Sequence, residues 1–265
     1  MKARVEVGRD SGAARVAGEV RLRAIDGVPI IQPGDDLGRL LFDCLSGDGV
    51  TLADEDVIVV AQKIVSKAEG RMVSLADVSP SDAALELAAA TDKDPRVVEL
   101  ILRESIAVVR QRRGLIVVRH RQGFVMANAG IDLSNVPPGQ AMLLPENIDA
   151  SAARLKHQLD ELSGRSIGVI VSDSMGRAWR RGIVGHALGV AGLEGLIDLR
   201  GEPDLYGREM ESSEVAIADE LAAAAAMLMG EGRESRPLVL IRGVRVSGRQ
   251  SGRQLLRDES EDLFL

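Results

Sequence analysis

Hard oxygen donors and cations meet in one short stretch of this chain. In "IGVIVSDSMGRAWRRG", residues 167–182, an apolar run stops at Ser172-Asp173-Ser174, and three arginines and the only tryptophan follow at once. A second acid, Asp132, sits among small residues in "NAGIDLSN", three positions before Asn135. Carboxylates and a hydroxyl suit Mg²⁺ or Mn²⁺ rather than zinc, and such ions take further ligands from substrate phosphates. Arg177, Arg180 and Arg181 then suit the remaining anionic charge, because a guanidinium fork matches phosphate and carboxylate oxygens. A blander reading stands beside each piece. Asp132 can close an Asx turn, Asp173 and Ser174 can cap the next segment, and the arginines can form a solvated face. Lys63 and Lys67 of "AQKIVSKAEGR" can be helix-end cations.

Familiar signatures are missing, which narrows the chemistry. The sequence holds no GxxxxGK[ST] loop, HExxH, paired CxxC or GxSxG elbow. His120, His157 and His186 are too scattered for a zinc set; His157 reads as structural or surface, while His186 stays open. Cys44, the single cysteine, cannot form an intramolecular disulfide and reads as a small core residue in a reducing compartment. With 45% hydrophobic and 28% charged residues the chain is globular rather than disordered. Only five aromatic rings (three Phe, one Tyr, one Trp) and a net charge of −7 argue against a nucleic-acid platform. The start, "MKARVEVGRDSGAARVAGEV", lacks the apolar core of a leader, and no apolar run is long enough for a bilayer. A cytoplasmic protein without membrane or nucleic-acid partners is expected.

The elements that must position these groups alternate between strand and helix. "EVRLRAI" (19–25), "DVIVVA", "SIAVVRQR", "GLIVVRHRQGFVMANA", "SIGVIVSDS" and "RPLVLIRGVRV" read as strands, with a turn at Gly114. Helices are expected after Asp35 or Asp36, over 79–105 as a pair split at Pro95, and over "SAARLKHQLDELSG" with Ser151 as cap and Gly164 as stop. "SSEVAIADELAAAAAMLMG" predicts a further helix, capped by Ser212 or Ser213, with Glu214 in its first turn and Gly230 at its end. The segment from Gly176 to Gly207 reads as a long glycine-punctuated connection, and the tail after residue 246 as polar and frayed.

Taken together and in order, "GVPIIQPGDDL", "VIVVAQKIVSKAEGR", "NAGIDLSNV", "LLPENIDASA", "VSDSMGRAWRRG", "DLYGREM" and "EVAIADELAAAAAMLMG" resemble the coenzyme F420-0:γ-glutamyl ligases, from about residue 25 to about 246. That resemblance implies a GTP- and divalent-metal-dependent ligase adding L-glutamate to coenzyme F420-0, a deazaflavin precursor. It implies a two-part α+β fold with mixed and antiparallel sheets and flanking helices, two interleaved subdomains over 1–246, and an intertwined homodimer. Asp132, Asp173 and Lys67 are the catalytic residues it implies. Metal ligands would be Asp132, Asp173, Ser174 (where threonine is usual) and Glu231, holding two Mg²⁺ or Mn²⁺ ions, with K⁺ as a further option. Nucleotide contacts would come from Val28, Pro29, Ile30, Ile31, Gln62, Lys67, Asn135, Gly230, Glu231 and Gly232. Two departures bear on the acceptor: "RRGIVGH" replaces the usual "RNGQTD", and "VPII" lacks the acid of "VPEI". The flavin-binding domain that follows the ligase in some relatives is not expected after the short tail. Rival readings are the same ligation on another acid, a metal-dependent nucleotide phosphohydrolase, and a GTP-binding paralogue without turnover.

Overall fold

The computed structural model of the chain describes residues 16–245 and 248–263. The stretch read as lacking a leader lies largely before it, and the expected boundary at 246–247 also falls outside the described residues. In chain order, β1 (Val16–Ala24) leads to α1 (Leu37–Gly47), and β2 (Val57–Ala61) runs directly into α2 (Gln62–Ala68). The strand β3 (Met72–Ser74) precedes the helix pair α3 (Asp82–Thr91) and α4 (Pro95–Arg103). Then come β4 (Ser105–Arg112), β5 (Leu115–His120), β6 (Val125–Ala127), β7 (Gln140–Met142) and α5 (Ile148–Ser163). The last third holds β8 (Gly168–Gly176), β9 (Ile183–Ala191), β10 (Ile197–Asp198), β11 (Glu214–Val215), α6 (Ile217–Met229) and β12 (Leu238–Val244). The class is α+β, with mixed and antiparallel sheets.

The central sheet runs β1-β12-β2-β8-β9, with only β2 and β8 parallel. In β2, Ile58 and Val60 face one core while Val57 and Val59 face another, so a β-branched run with both faces covered is buried throughout. Residues of α1 and α5 share the first core, and those of α6 the second. A third core gathers α3 and α4 with β5. Several helix signals hold: Asp36 caps α1, Pro95 opens α4 behind Asp94, and Gly164 ends α5 in the left-handed region.

Other expectations need correction. Asn147, not Ser151, caps α5, and Ser151 instead donates to Glu69 Oε1 at 2.6 Å. Neither Ser212 nor Ser213 caps α6, which starts at Ile217 with no side-chain cap; Glu214 and Val215 are extended because they pair with β10. Most unexpectedly, the glycine-punctuated connection contains β9. A Cβ at Gly185 would lie 2.5 Å from the Ala222 carbonyl oxygen of α6, and one at Gly189 2.5 Å from that of Ile148 in α5. These glycines let helices approach a strand from both sides rather than loosening a loop. The described part of the tail is also fastened. Gln250 Oε1 accepts from the N–H groups of Gly195 and Leu196 at 2.8 and 2.9 Å, and Gly252 N–H donates to Asp149 Oδ1 at 2.7 Å.

Strand directions fix where a site can form. Ala24 pairs with Val239, Leu238 with Val60, and Ala61 with Ser172. The carboxyl ends of β1, β2 and β8 and the start of β12 therefore share one edge of the sheet, a place where such sheets present ligand-binding groups.

Candidate active site

At that edge β2 passes without a loop into α2, because Ala61 is both the last strand residue and the helix N-cap. Lys63 and Lys67 are thus held one helical turn apart. From the neighbouring layer comes Asp132, whose backbone bridges Met142 through hydrogen bonds of 3.0 and 2.9 Å. Its Oδ1 accepts from the Ser134 N–H at 2.6 Å, so the Asx turn exists, and its Oδ2 lies 2.5 Å from Lys63 Nζ. Lys63 also donates to Ser134 Oγ at 3.1 Å. Both readings of Asp132 hold at once: the turn aims a carboxylate at a cation.

Asp173 and Ser174 continue β8 past the buried apolar run. The Ser174 hydroxyl donates to Glu231 Oε1 at 2.6 Å, joining the strand to the loop after α6. Burial pushes the Asp173 carboxyl up to about 7; the Ser174 N–H and Lys63 oppose the rise, while Asp132 and Glu231 add to it. At Asp132 burial also pulls upward, but Lys63 and Ser134 outweigh it and hold the carboxyl below its usual range. Burial and the like charge of Lys63 lower the Lys67 ammonium, with Asp132 partly compensating. Three acids, one hydroxyl and two ammonium groups thus act on one another, which is the electrostatic mark of a functional site.

Around them, Gly34 N–H donates to the Ala68 carbonyl at 2.8 Å, tying the loop of Val28, Pro29, Ile30 and Ile31 to the end of α2. Ile31 anchors that loop in the core, while Ile30 is 82% exposed. Arg236 pairs with Asp26 at 2.8 Å, linking the loop after α6 to the same edge. In that loop Gly230 has φ +73°, and a Cβ there would lie 2.4 Å from the carboxyl carbon of Glu234, whose Oε2 accepts from Gly232 N–H at 2.8 Å. Glycine at 230 is therefore required by the fold of the loop itself. Asn135, three residues after Asp132, is exposed with φ +54°.

The structure thus gathers Lys67, Asp132, Asp173, Ser174 and Glu231. Gln62 behaves differently: it is 1% exposed and its Oε1 accepts from Ser66 Oγ at 2.9 Å, so its side chain is committed inside α2. His186 stands opposite Asp173 across the β8–β9 pair, with its Nδ1 2.9 Å from the Val184 carbonyl oxygen. The bland reading of Lys63 as a helix-end cation misses its position in the cluster; the like charge at i,i+4 to Lys67 in a short helix was its one sequence signal. His157 is a surface residue beside Glu161.

The cluster fits a divalent cation by donor chemistry. Its acids and hydroxyl offer hard oxygens, and the Lys63 ammonium already stands as counter-cation to Asp132. Among the described residues no three His, Cys, Asp or Glu side chains form a preassembled cage.

Comparison with known proteins decides the family. The family model for F420-0:γ-glutamyl ligase matches residues 27–243, a span that includes every residue of this cluster. The chain belongs to the F420-0:γ-glutamyl ligase family. The coenzyme F420:L-glutamate ligase of Methanothermobacter thermautotrophicus is 46% identical over 248 residues, 92% of this chain and 98% of that protein. Those of Methanopyrus kandleri and Archaeoglobus fulgidus, with the same name, are 44% and 41% identical over 91% and 92% of this chain. This member of the γ-glutamyl ligase family also has, among its described residues, no helix long and apolar enough to cross a membrane.

Proposed function

We propose that this chain joins the amine of L-glutamate to the carboxylate of coenzyme F420-0, in coenzyme F420 biosynthesis, at the expense of GTP. The observation that carries the reading is the convergence of Asp132, Asp173, Ser174 and Glu231 with Lys63 and Lys67 at one sheet edge of a γ-glutamyl ligase chain. A free carboxylate is a poor acylating agent. Its oxygen therefore attacks the γ-phosphorus of GTP, the bond to the β-phosphate oxygen breaks, and an acyl phosphate and GDP result. The glutamate amine then forms the C–N bond, inorganic phosphate leaves, and one proton is released. Such chemistry needs little covalent help and depends on positioning and charge neutralisation.

In this reading Asp132, Asp173, Ser174 and Glu231 would hold Mg²⁺ or Mn²⁺, two ions by family resemblance and K⁺ as a further option, which would neutralise phosphate charge. Lys67 holds a positive charge at the phosphates from the end of a helix fixed to β2. In the same reading Asn135, in its left-handed turn, and the loops 28–31 and 230–232 would hold the nucleotide. Gln62, with its side chain committed to Ser66, has only its backbone to offer. An intertwined homodimer belongs to the same proposal, and the exposed Ile106, Val108 and Val125 on β4 and β6 suit such a contact.

GTP consumption is the test that separates ligation from hydrolysis. With purified protein and Mg²⁺ or Mn²⁺, a ligase consumes GTP only when the acceptor is present. Full consumption without acceptor would establish a phosphohydrolase instead. GTP bound but never consumed would leave a binding protein.

A further inference from the structure

Lys63 is the best-placed cation of the site, and neither the family resemblance nor the comparisons give it a role. It is engaged on three sides: Asp132 Oδ2 at 2.5 Å, Ser134 Oγ at 3.1 Å, and the electrostatic hold on Asp173 that opposes its burial. Asp173, from another layer, thus feels this charge through space, while Asp132 pairs with the ammonium directly. Lys67, on the same face one turn later, repels it, so the helix carries a like-charge pair that its own stability does not favour. Without that ammonium, Asp132 would lose its one ion-pair partner in the cluster, and only Lys67, acting through space, would offset the mutual repulsion of Asp132, Asp173 and Glu231.

We propose that Lys63 is the built-in counter-cation of this cradle, and that a divalent cation displaces it from Asp132 on binding. The proposal rests on the cation site argued above. A divalent ion on Asp132 would stand against the Lys63 ammonium, which is 2.5 Å from the same carboxylate, so charge repulsion drives the ammonium away and loading exchanges a single for a double positive charge. The side chain freed by the exchange stays on α2 beside Lys67, where two ammonium groups face the polyphosphate instead of one.

Competition has a measurable sign. The Lys63 and Asp132 side chains are 31% and 26% exposed, so the pair is partly shielded from water. Removing a competitor held by such a pair should tighten metal binding by about fivefold. The experiment titrates Mn²⁺ into the purified full chain without nucleotide, following free Mn²⁺ by electron paramagnetic resonance, with melting curves as the check of folding. Lys63→Met should bind about fivefold more tightly than wild type, Lys67→Met less than twofold more tightly, and Asp132→Asn far more weakly. Unchanged or weaker binding by a folded Lys63→Met overturns the exchange and makes Lys63 a residue that merely positions Asp132.

A second readout needs no variant. The chain has five lysines. In ¹⁵N-lysine-labelled wild-type protein, Mg²⁺ should shift the Lys63 ζ-nitrogen resonance, whereas an unmoved resonance under saturating Mg²⁺ contradicts displacement. If wild type shows no Mn²⁺ site that Asp132→Asn removes, the cation site itself fails and the exchange falls with it.

Discussion

Replacing Asp173 with asparagine should stabilise the metal-free protein at neutral pH while disabling it. Burial holds the Asp173 carboxyl up to about 7, against an ordinary value of 3.8. Between those values the folded chain binds a proton that the unfolded chain has already lost, so stability falls as pH rises through this window. Above it the full penalty applies. A shift of about three units corresponds to at most about 4 kcal/mol, and for a half-buried side chain about 1–3 kcal/mol is the expected share. Asparagine keeps the shape and an acceptor for the Ser174 N–H, so the variant escapes the charge penalty without losing that bond. Melting temperatures in chelator should therefore be higher for Asp173→Asn by roughly 3–6 °C at pH 8, with little difference near pH 4. Saturating Mg²⁺ should raise the wild type and leave the variant unmoved. Equal melting at both pH values, or a variant less stable at pH 8, would refute a carboxylate held against its burial.

Other consequences are quicker to test. Ser174→Ala should lower metal-supported turnover more than Ser174→Thr, because threonine keeps the hydroxyl that meets Glu231 at 2.6 Å; equal turnover in all three proteins would make the hydroxyl irrelevant. Arg242→Met should cost about 2–3 kcal/mol in denaturant melts, since it strands Asp56, which is 1% exposed and bonded at 2.7 and 2.6 Å. A loss below about 0.5 kcal/mol would contradict that. Gly185→Ala should destabilise the fold by about 1–3 kcal/mol, because its Cβ meets the Ala222 carbonyl oxygen; a neutral substitution would mean α6 can move off β9.

What was legible in the sequence was local. Asp36, Pro95 and Gly164 act within a turn of where they stand, so cap and breaker chemistry finds them. The start of α5 carries its own local signal, Asn147, whose Oδ1 accepts from the Ala150 N–H at 3.1 Å; Ser151, four residues on, is a competing cap candidate that only its bond to Glu69 rules out. The start of α6 was hidden by the pairing of Glu214 and Val215 with β10. β9 read as a connection because glycine marks both loose loops and tight packing, and only the helices against Gly185 and Gly189 tell which. At the site, residue types announced oxygen-ligand chemistry, and motif order announced the family. The part of Lys63 was invisible, since its partners Asp132 and Ser134 come from another layer of the fold.

The most direct test of the ligase reading is the mass of the acceptor. Purified protein is incubated with coenzyme F420-0, L-glutamate, GTP and Mg²⁺ or Mn²⁺, beside Asp132→Asn of equal melting temperature. Acceptor mass should rise in whole glutamyl increments with the wild type, only when GTP and metal are both present, and scarcely at all with the variant. An unchanged acceptor mass while GTP disappears, or equal product from Asp132→Asn, would contradict ligation at this cluster.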